Sequence, residues 1–211
     1  MKKLPEIFKN NRQWVDEKLA LDHDYFKKQA KEQHPAYLWI GCADSRVPAN
    51  EITGLETGEL FVHRNIANLV IHNDMSCLSV LQFAVEVLKV EHVIVCGHYG
   101  CGGVKAALGH QQFGLIDHWL RHIKDIYLKN AKQFVSIKEE RKALDLLCEL
   151  NVSQQVSNLC HNPIVQNAWQ RNQPLSIHGW IYNLETGLLN DLNLCVSDPQ
   201  EIAEIFRMNS E

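Results

Sequence analysis

Three short apolar runs, each set off by charge or glycine, mark the first half of the chain: "AYLWIGC" (36–42), "ELFVHRN" (59–65) and "EHVIVCG" (91–97). Unbroken apolar runs of this length predict strands buried on both faces, as in a parallel sheet. Between the second and third lies "MSCLSVLQFAVEVLKV", preceded by Asp74 and apolar almost all round, which predicts a buried helix capped by that aspartate. Strand, crossover helix and strand form a unit that demands parallel pairing and a right-handed connection.

Elsewhere the alternation of polar and apolar positions predicts more helix. After Asn10 and Asn11, "RQWVDEKLALDHDYFKKQAKEQ" keeps helical spacing until it stops before Pro35, which reads as one long amphipathic helix. "LIDHWLRHIKDIYLKNA" is helical, and "SIKE" (136–139) has capping-box spacing ahead of "RKALDLLCELNVSQQVSNL". Pro163 and Pro174 bracket a further helix, "IVQNAWQRN". "LSIHGWIYNL" alternates, turns at "ETG" (185–187) and returns as "LLNDLNLCV", a hairpin. "SDPQEIAEIFRM" predicts a closing helix with Ser197 as cap and Gln200 at the capping-box position. The expected fold is α/β, a mainly parallel central β-sheet flanked by helices. It forms one domain over residues 1–211, with 1–34 a helical arm and 35–211 the α/β core. There is no repeat, low-complexity tract or linker.

Composition narrows the function. A chain of 211 residues with 45% hydrophobic side chains buries one sizeable core. A net charge of -4 lacks the basic excess of a nucleic-acid surface, so no nucleic-acid partner is expected. No apolar run reaches spanning length and no secretory h-region follows Lys2 and Lys3; no membrane partner and a cytoplasmic location are expected. Seven cysteines, at 42, 77, 96, 101, 148, 160 and 195, are odd in number and scattered, which suits reduced thiols better than disulfides.

Ligands bind an open α/β sheet beyond the carboxyl ends of its strands. The first strand runs into "CADSR" and the third into "CGHYGCGG". Were those strands parallel neighbours, Cys42, Asp44, Arg46, His98 and Cys101 would meet at one end of the sheet. Two thiolates, an imidazole and a fourth group make a zinc set by softness and number. Asp44 has two options there: to coordinate the metal, or to bond Arg46 and leave the fourth position to water.

The segments "CADSRVP" and "CGHYGCGG", 54 residues apart from Asp44 to His98, resemble the two signature segments of the beta-class carbonic anhydrases. The resemblance continues through "GELFVHRNIANLV" and "SIHGWIYNLETG" and so covers most of the chain. It implies Cys42, His98 and Cys101 as ligands of one Zn2+ per subunit, Asp44 and Arg46 as the dyad beside the fourth position, and Gln33, Phe83 and Gly102 at the substrate cleft. It implies carbon dioxide and bicarbonate as substrate and product. It also implies a homodimer or homotetramer with shared clefts, the N-terminal arm packing on the partner. Zinc lowers the pKa of bound water from about 15.7 to about 7 in tri-histidine sites. Two thiolates already offset the metal's charge, so the attacking hydroxide is expected at mildly alkaline pH. In the bacterial, bicarbonate-regulated (type II-like) subclass, bicarbonate fills a second pocket and the aspartate closes onto zinc in acid. Trp39, Arg64 and Tyr182 stand at the matching places, implying a closed, inactive form with Asp44 as fourth ligand.

The remaining candidates read as structure. Cys96 lies inside a β-branched run and is expected to be a buried thiol, and Cys77, Cys148, Cys160 and Cys195 inert. His118 and His122 are spaced for a metal but lack the glutamate of H-E-x-x-H, and His63 and His178 suit hydrogen-bonded structural roles. Gly102 and Gly103 lack the phosphate-loop motifs. Two further functions compete with this one, a binding module with a purely structural zinc and a thiol redox protein; no C-x-x-C supports the second.

Overall fold

The computed structural model describes residues 3–208, in two compact units, Met1–His34 and Pro35–Glu211. In the first, α1 (Pro5–Leu21) and α2 (Tyr25–Gln29) are separated by a turn at Asp22–Asp24. The expected single helix is thus corrected at both ends. Pro5 starts α1 well before Asn10, because proline at the first turn sacrifices no helical hydrogen bond. Asp22 ends it: its side chain accepts from the Asp24 N–H at 3.1 Å and from Lys28 Nζ at 2.6 Å, offering the backbone an alternative to the helix. Within this unit Trp14 packs edge-on to Phe26, with ring centroids 5.3 Å apart.

The second unit is built on a five-stranded sheet in the order β2-β1-β3-β4-β5. β1 (Tyr37–Cys42), β2 (Leu60–Asn65), β3 (His92–His98) and β4 (Ser176–Asn183) are parallel, and β5 (Leu188–Val196) closes one edge antiparallel to β4. Around them lie α3 (Ala49–Thr53), α4 (Met75–Gln82), α5 (Gly102–Leu108), α6 (Ile116–Lys129), α7 (Ala131–Phe134), α8 (Glu140–Cys160) and α9 (Pro163–Gln170). The mixed α/β architecture and the strands read from the apolar runs are as expected. Asp74 caps α4, accepting from the N–H groups of Ser76 and Cys77. After Gln82 the helix widens into a π-helical turn, Phe83–Leu88.

Two caps differ from expectation. α8 begins at Glu140 with Glu139 as N-cap and no side-chain cap, so Ser136 plays no part. The closing helix is instead two 3-10 turns, Pro199–Glu201 and Glu204–Phe206, and the capping box is Asp198 with Glu201. Proline at the first helical position shifts the box one residue on, and Ile202 then leaves the helix to bury in the core.

α8 approaches the sheet closely because β3 and β4 carry no side chain beneath it. A Cβ on Gly97 would lie 2.6 Å from Val152 Cγ2, and one on Gly179 would lie 3.1 Å from Val156 Cγ2. Leu38, Ile40, Val93, Val95 and Ile177 fill the core on this side, while Trp39, Ile94 and Cys96 pack with Val47 and Ala49 in a second cluster. Cys96 is fully buried, as expected; Cys195, by contrast, is exposed on the edge strand.

Candidate metal centre

β1 and β3 are parallel neighbours, with Gly41 opposite Cys96, so the turns that follow both leave from the same end of the sheet. A turn through Gly100, at φ 67°, then swings Cys101 back beneath His98. The sulfurs of Cys42 and Cys101 and one ring nitrogen of His98 lie within 4.8 Å of one another, the one such group of three among the described residues. The two sulfurs are 3.8 Å apart. That is roughly 3.8 Å, the span of two thiolates about 2.3 Å from one tetrahedral ion. His98 is buried; its Nδ1 lies 3.0 Å from the Tyr99 carbonyl, to which only an N–H can bond, so the lone pair belongs to Nε2. That Nε2 has no hydrogen-bond partner. A buried polar atom left unmet is costly, and this one sits beside two sulfurs, so the donor set fits a thiophilic divalent ion.

The electrostatics agree. The thiol of Cys42 is pulled well below its ordinary range, chiefly by a hydrogen bond from Cys101, with the backbone amide of Asp44 adding to it. Cys101 is pushed up by that same partner and by burial. The pair thus gives up a first proton far more easily than a second.

Asp44 stands beside this group. The Arg46 backbone N–H and Nε donate to its Oδ1 at 3.0 and 2.9 Å, and Nη2 donates to Oδ2 at 2.7 Å. The guanidinium holds the carboxyl far below the usual carboxylate range. Oδ2 is 3.7 Å from His98 Nε2. Of the two options open to Asp44, the structure takes the arginine. Cys42, Asp44 and Gly102 line a cavity of about 370 Å³ with Ile66, Phe113 and Ile116.

The other residues singled out are placed less uniformly. Gly102 borders the cavity, and a Cβ there would meet nothing within 4 Å. Phe83 does not line it; the ring stacks on Phe61, centroids 5.9 Å apart, and is 43% exposed. Gln33 lies in the first unit and is exposed. Trp39 is buried with its Nε1 unpartnered, Tyr182 packs in the same cluster, and Arg64 donates from Nε to the Cys42 carbonyl at 2.8 Å and from Nη2 to the Asp44 carbonyl. Ile66, Phe113 and Ile116 escaped sequence reasoning. They come from two stretches far apart in the sequence, at 66 and at 113–116, and only the topology gathers them.

Comparison with known proteins supports the geometry. Residues 37–189 match the carbonic anhydrase family model, well over half of the chain. A carbonic anhydrase of Emericella nidulans is 45% identical over 209 residues, covering 97% of this chain and 92% of that protein. One from Pseudomonas aeruginosa is 35% identical over 174 residues, covering 80% and 78%. Among solved structures, a Coccomyxa beta-carbonic anhydrase in complex with acetazolamide superposes with a TM-score of 0.91 at 41% identity, covering 95% and 91% of the two chains. A Sordaria macrospora enzyme, one of two tetrameric beta-carbonic anhydrases, gives 0.87 at 34% identity, covering 91% and 98%. No helix among the described residues is long and apolar enough to cross a membrane. With a Cys-His-Cys group that could hold a metal ion, its paired aspartate and these relatives, the chain belongs to the beta-class carbonic anhydrases, lyases that hydrate carbon dioxide.

Proposed function

We propose that the chain interconverts carbon dioxide and bicarbonate at one zinc ion per chain, held by Cys42, His98 and Cys101. The observation that carries this is the buried, unpartnered Nε2 of His98 beside two sulfurs 3.8 Å apart. Zinc would supply a Lewis acid that lowers the pKa of water towards neutrality, less far than in a tri-histidine site because two thiolates offset its charge. Arg46 fixes the Asp44 carboxylate so that a remaining lone pair on Oδ2 accepts from the attacking water and orients it. Ile66, Phe113 and Ile116 offer uncharged carbon dioxide an apolar wall that gives a charged product no partner. Stopped-flow carbon dioxide hydration at alkaline pH, before and after a zinc chelator, tests the proposal. Activity is expected to leave with the zinc and to return when zinc is added, and full activity in metal-free protein would overturn it.

The same residues support a closed state in which Asp44 leaves Arg46 and becomes the fourth ligand, favoured by acid and by bicarbonate. Its Oδ2 needs only a short swing, being 3.7 Å from His98 Nε2. Trp39 Nε1 lies unpartnered over Gly41, and Arg64 grips the carbonyls on either side of Ala43. An anion that drew Arg64 away would free the Asp44 backbone to move. Cooperative inhibition by bicarbonate, lost in Trp39→Phe, is expected; a single ordinary titration without inhibition counts against it.

The exposed Phe83 and Gln33, and the tetrameric Sordaria relative, favour a homodimer or homotetramer in which these residues complete a partner's cleft and the arm packs on that partner. A cytoplasmic location and a single functional domain of arm and core complete the reading. Mass in solution distinguishes the two assemblies, and a monomeric active enzyme would refute both.

A further inference from the structure

The segment after β2 is unusual in its backbone and in what grips it. Ala67 (φ 64°, ψ 30°) and Asn68 (φ 48°) are left-handed, a conformation that asparagine tolerates and alanine avoids. Ala67 is fully buried in one apolar cluster with Cys42 and Cys101. The segment touches both sulfur-bearing turns. The Ala43 N–H donates to the Asn65 carbonyl at 2.8 Å, and at Gly103 a Cβ would fall 2.8 Å from Ile66 Cγ2 and 3.3 Å from Ala67 Cβ.

What holds this backbone is a ladder of amides on α8, at positions where helical periodicity calls for apolar side chains. Asn151 and Gln155, 1% and 2% exposed, are one turn apart. Asn151 Nδ2 donates to the Ala67 carbonyl and Gln155 Nε2 to Asn151 Oδ1, both at 2.9 Å. Gln155 Oε1 accepts from the Val70 N–H at 2.9 Å, and Asn158 Nδ2 donates to the Val70 carbonyl at 2.9 Å. Burying amides costs free energy that an apolar face would not, and these spend their bonds on one another and on the segment 67–70.

We infer that Asn151, backed by Gln155, is a positioning residue for the metal centre: it pins Ala67 in its left-handed turn and so holds the segment between the Cys42 and Cys101 turns. The inference rests on the proposal that those cysteines bind metal. Groups that orient ligands from outside the coordination sphere tune metal affinity by about 10- to 100-fold.

The test compares zinc-loaded variants. Asn151→Leu keeps the branched skeleton and removes the donor; zinc is expected to pass to a competing chelator about 10-fold faster or more, and in cobalt-substituted protein the sulfur-to-metal charge-transfer absorption is expected to shift. Gln166→Leu removes an equally buried amide that bonds the Cys160 and Phe206 carbonyls and the Met208 N–H, away from the segment 67–70, and is expected to lower Tm while leaving both readouts unchanged. Adding Ala67→Gly to Asn151→Leu should restore retention, because glycine adopts the left-handed turn unaided. A folded Asn151→Leu with wild-type retention and spectrum, or no recovery on adding Ala67→Gly, overturns the inference. Should Asn151→Leu fail to fold, Gln155→Met decides: it takes away the donor that backs Asn151 Oδ1, zinc is expected to leave faster than from wild type, and wild-type retention overturns the inference. Wild-type protein that binds no metal would instead overturn the proposal beneath it.

Discussion

β3 opens on one histidine and closes on another, and the two ends of this strand behave as different materials. At the opening end, His92 Nδ1 lies 3.1 Å from His178 Nε2 on β4, and its ring stacks on Tyr37 with centroids 5.4 Å apart. Each imidazole meets the other's need, and both stay half-buried. At the closing end, His98 is almost wholly buried and its Nε2 has no partner among the described residues, only sulfur and a carboxylate nearby. Residue type does not separate the two sites. Polar accounting does: a satisfied pair marks structure, and a buried unmet lone pair beside two sulfurs marks a place that a metal ion could fill. The polarity of a parallel sheet puts the second kind at the carboxyl ends.

Replacing each histidine breaks the comparison most directly. His98→Ala is expected to abolish zinc binding and reduce carbon dioxide hydration to the buffer background, whereas His178→Ala keeps one zinc and near wild-type turnover. Metal analysis and stopped-flow kinetics on both variants check this, and equal losses would erase the distinction. Next in size, Asp44→Asn leaves the three donors intact, so zinc stays; turnover is expected to fall about 100-fold or more, the usual worth of a placed proton acceptor. An Asp44→Asn enzyme with wild-type turnover would reduce the carboxylate to a spectator.

The two ends also differed in how far they could be read from sequence. Cys42, Asp44, Arg46, His98 and Cys101 were legible because each follows directly on an apolar run, and parallel pairing of those runs leaves them little choice but to meet. Ile66 and Phe113 were not, since a cavity wall assembled from separate loops carries no period. Asn151 and Gln155 were missed for the opposite reason. They keep helical period but are polar, and polarity at a core position is read as surface until its partner, here the left-handed Ala67 carbonyl, is known. The arm was misread because Asp22 bonds its own neighbourhood and stops a helix whose apolar spacing runs on. Cap positions slipped by a residue where proline stands next to the cap, as at Asp198.

Metal removal sharpens the contrast in stability. An ion present at a thousandfold excess over its dissociation constant stabilises the folded state by about 4 kcal/mol. For a chain of this size each kcal/mol moves Tm by roughly 2–4 °C, so stripping zinc is expected to lower Tm by roughly 8–16 °C. The loss should be absent in His98→Ala, which has no zinc to lose, and full in His178→Ala. A Tm indifferent to the chelator in wild type would mean that the donors are held equally well without an ion.

The smallest expected effect is a pH dependence to which the opening end contributes. Burial first, and His92 second, push the His178 imidazole below its ordinary range. The folded protein therefore resists a proton that the unfolded chain accepts near pH 6.5, about the unperturbed histidine value. Since the unfolded state then binds more protons, stability rises with pH through this window, is flat above it, and falls as pH drops below the unfolded value towards the lowered folded one. Burial pushes His63 and His161 the same way, so acid sensitivity is shared. His178→Phe removes one contributor and frees His92 from a bond that needs a lone pair on one ring. Its Tm is expected to drop less than that of wild type between about pH 8 and about pH 5. Measured on metal-free protein, the difference should persist, because ligand protonation at the closing end no longer contributes. Parallel acid limbs in wild type and His178→Phe would show that the imidazole pair takes up protons as freely folded as unfolded.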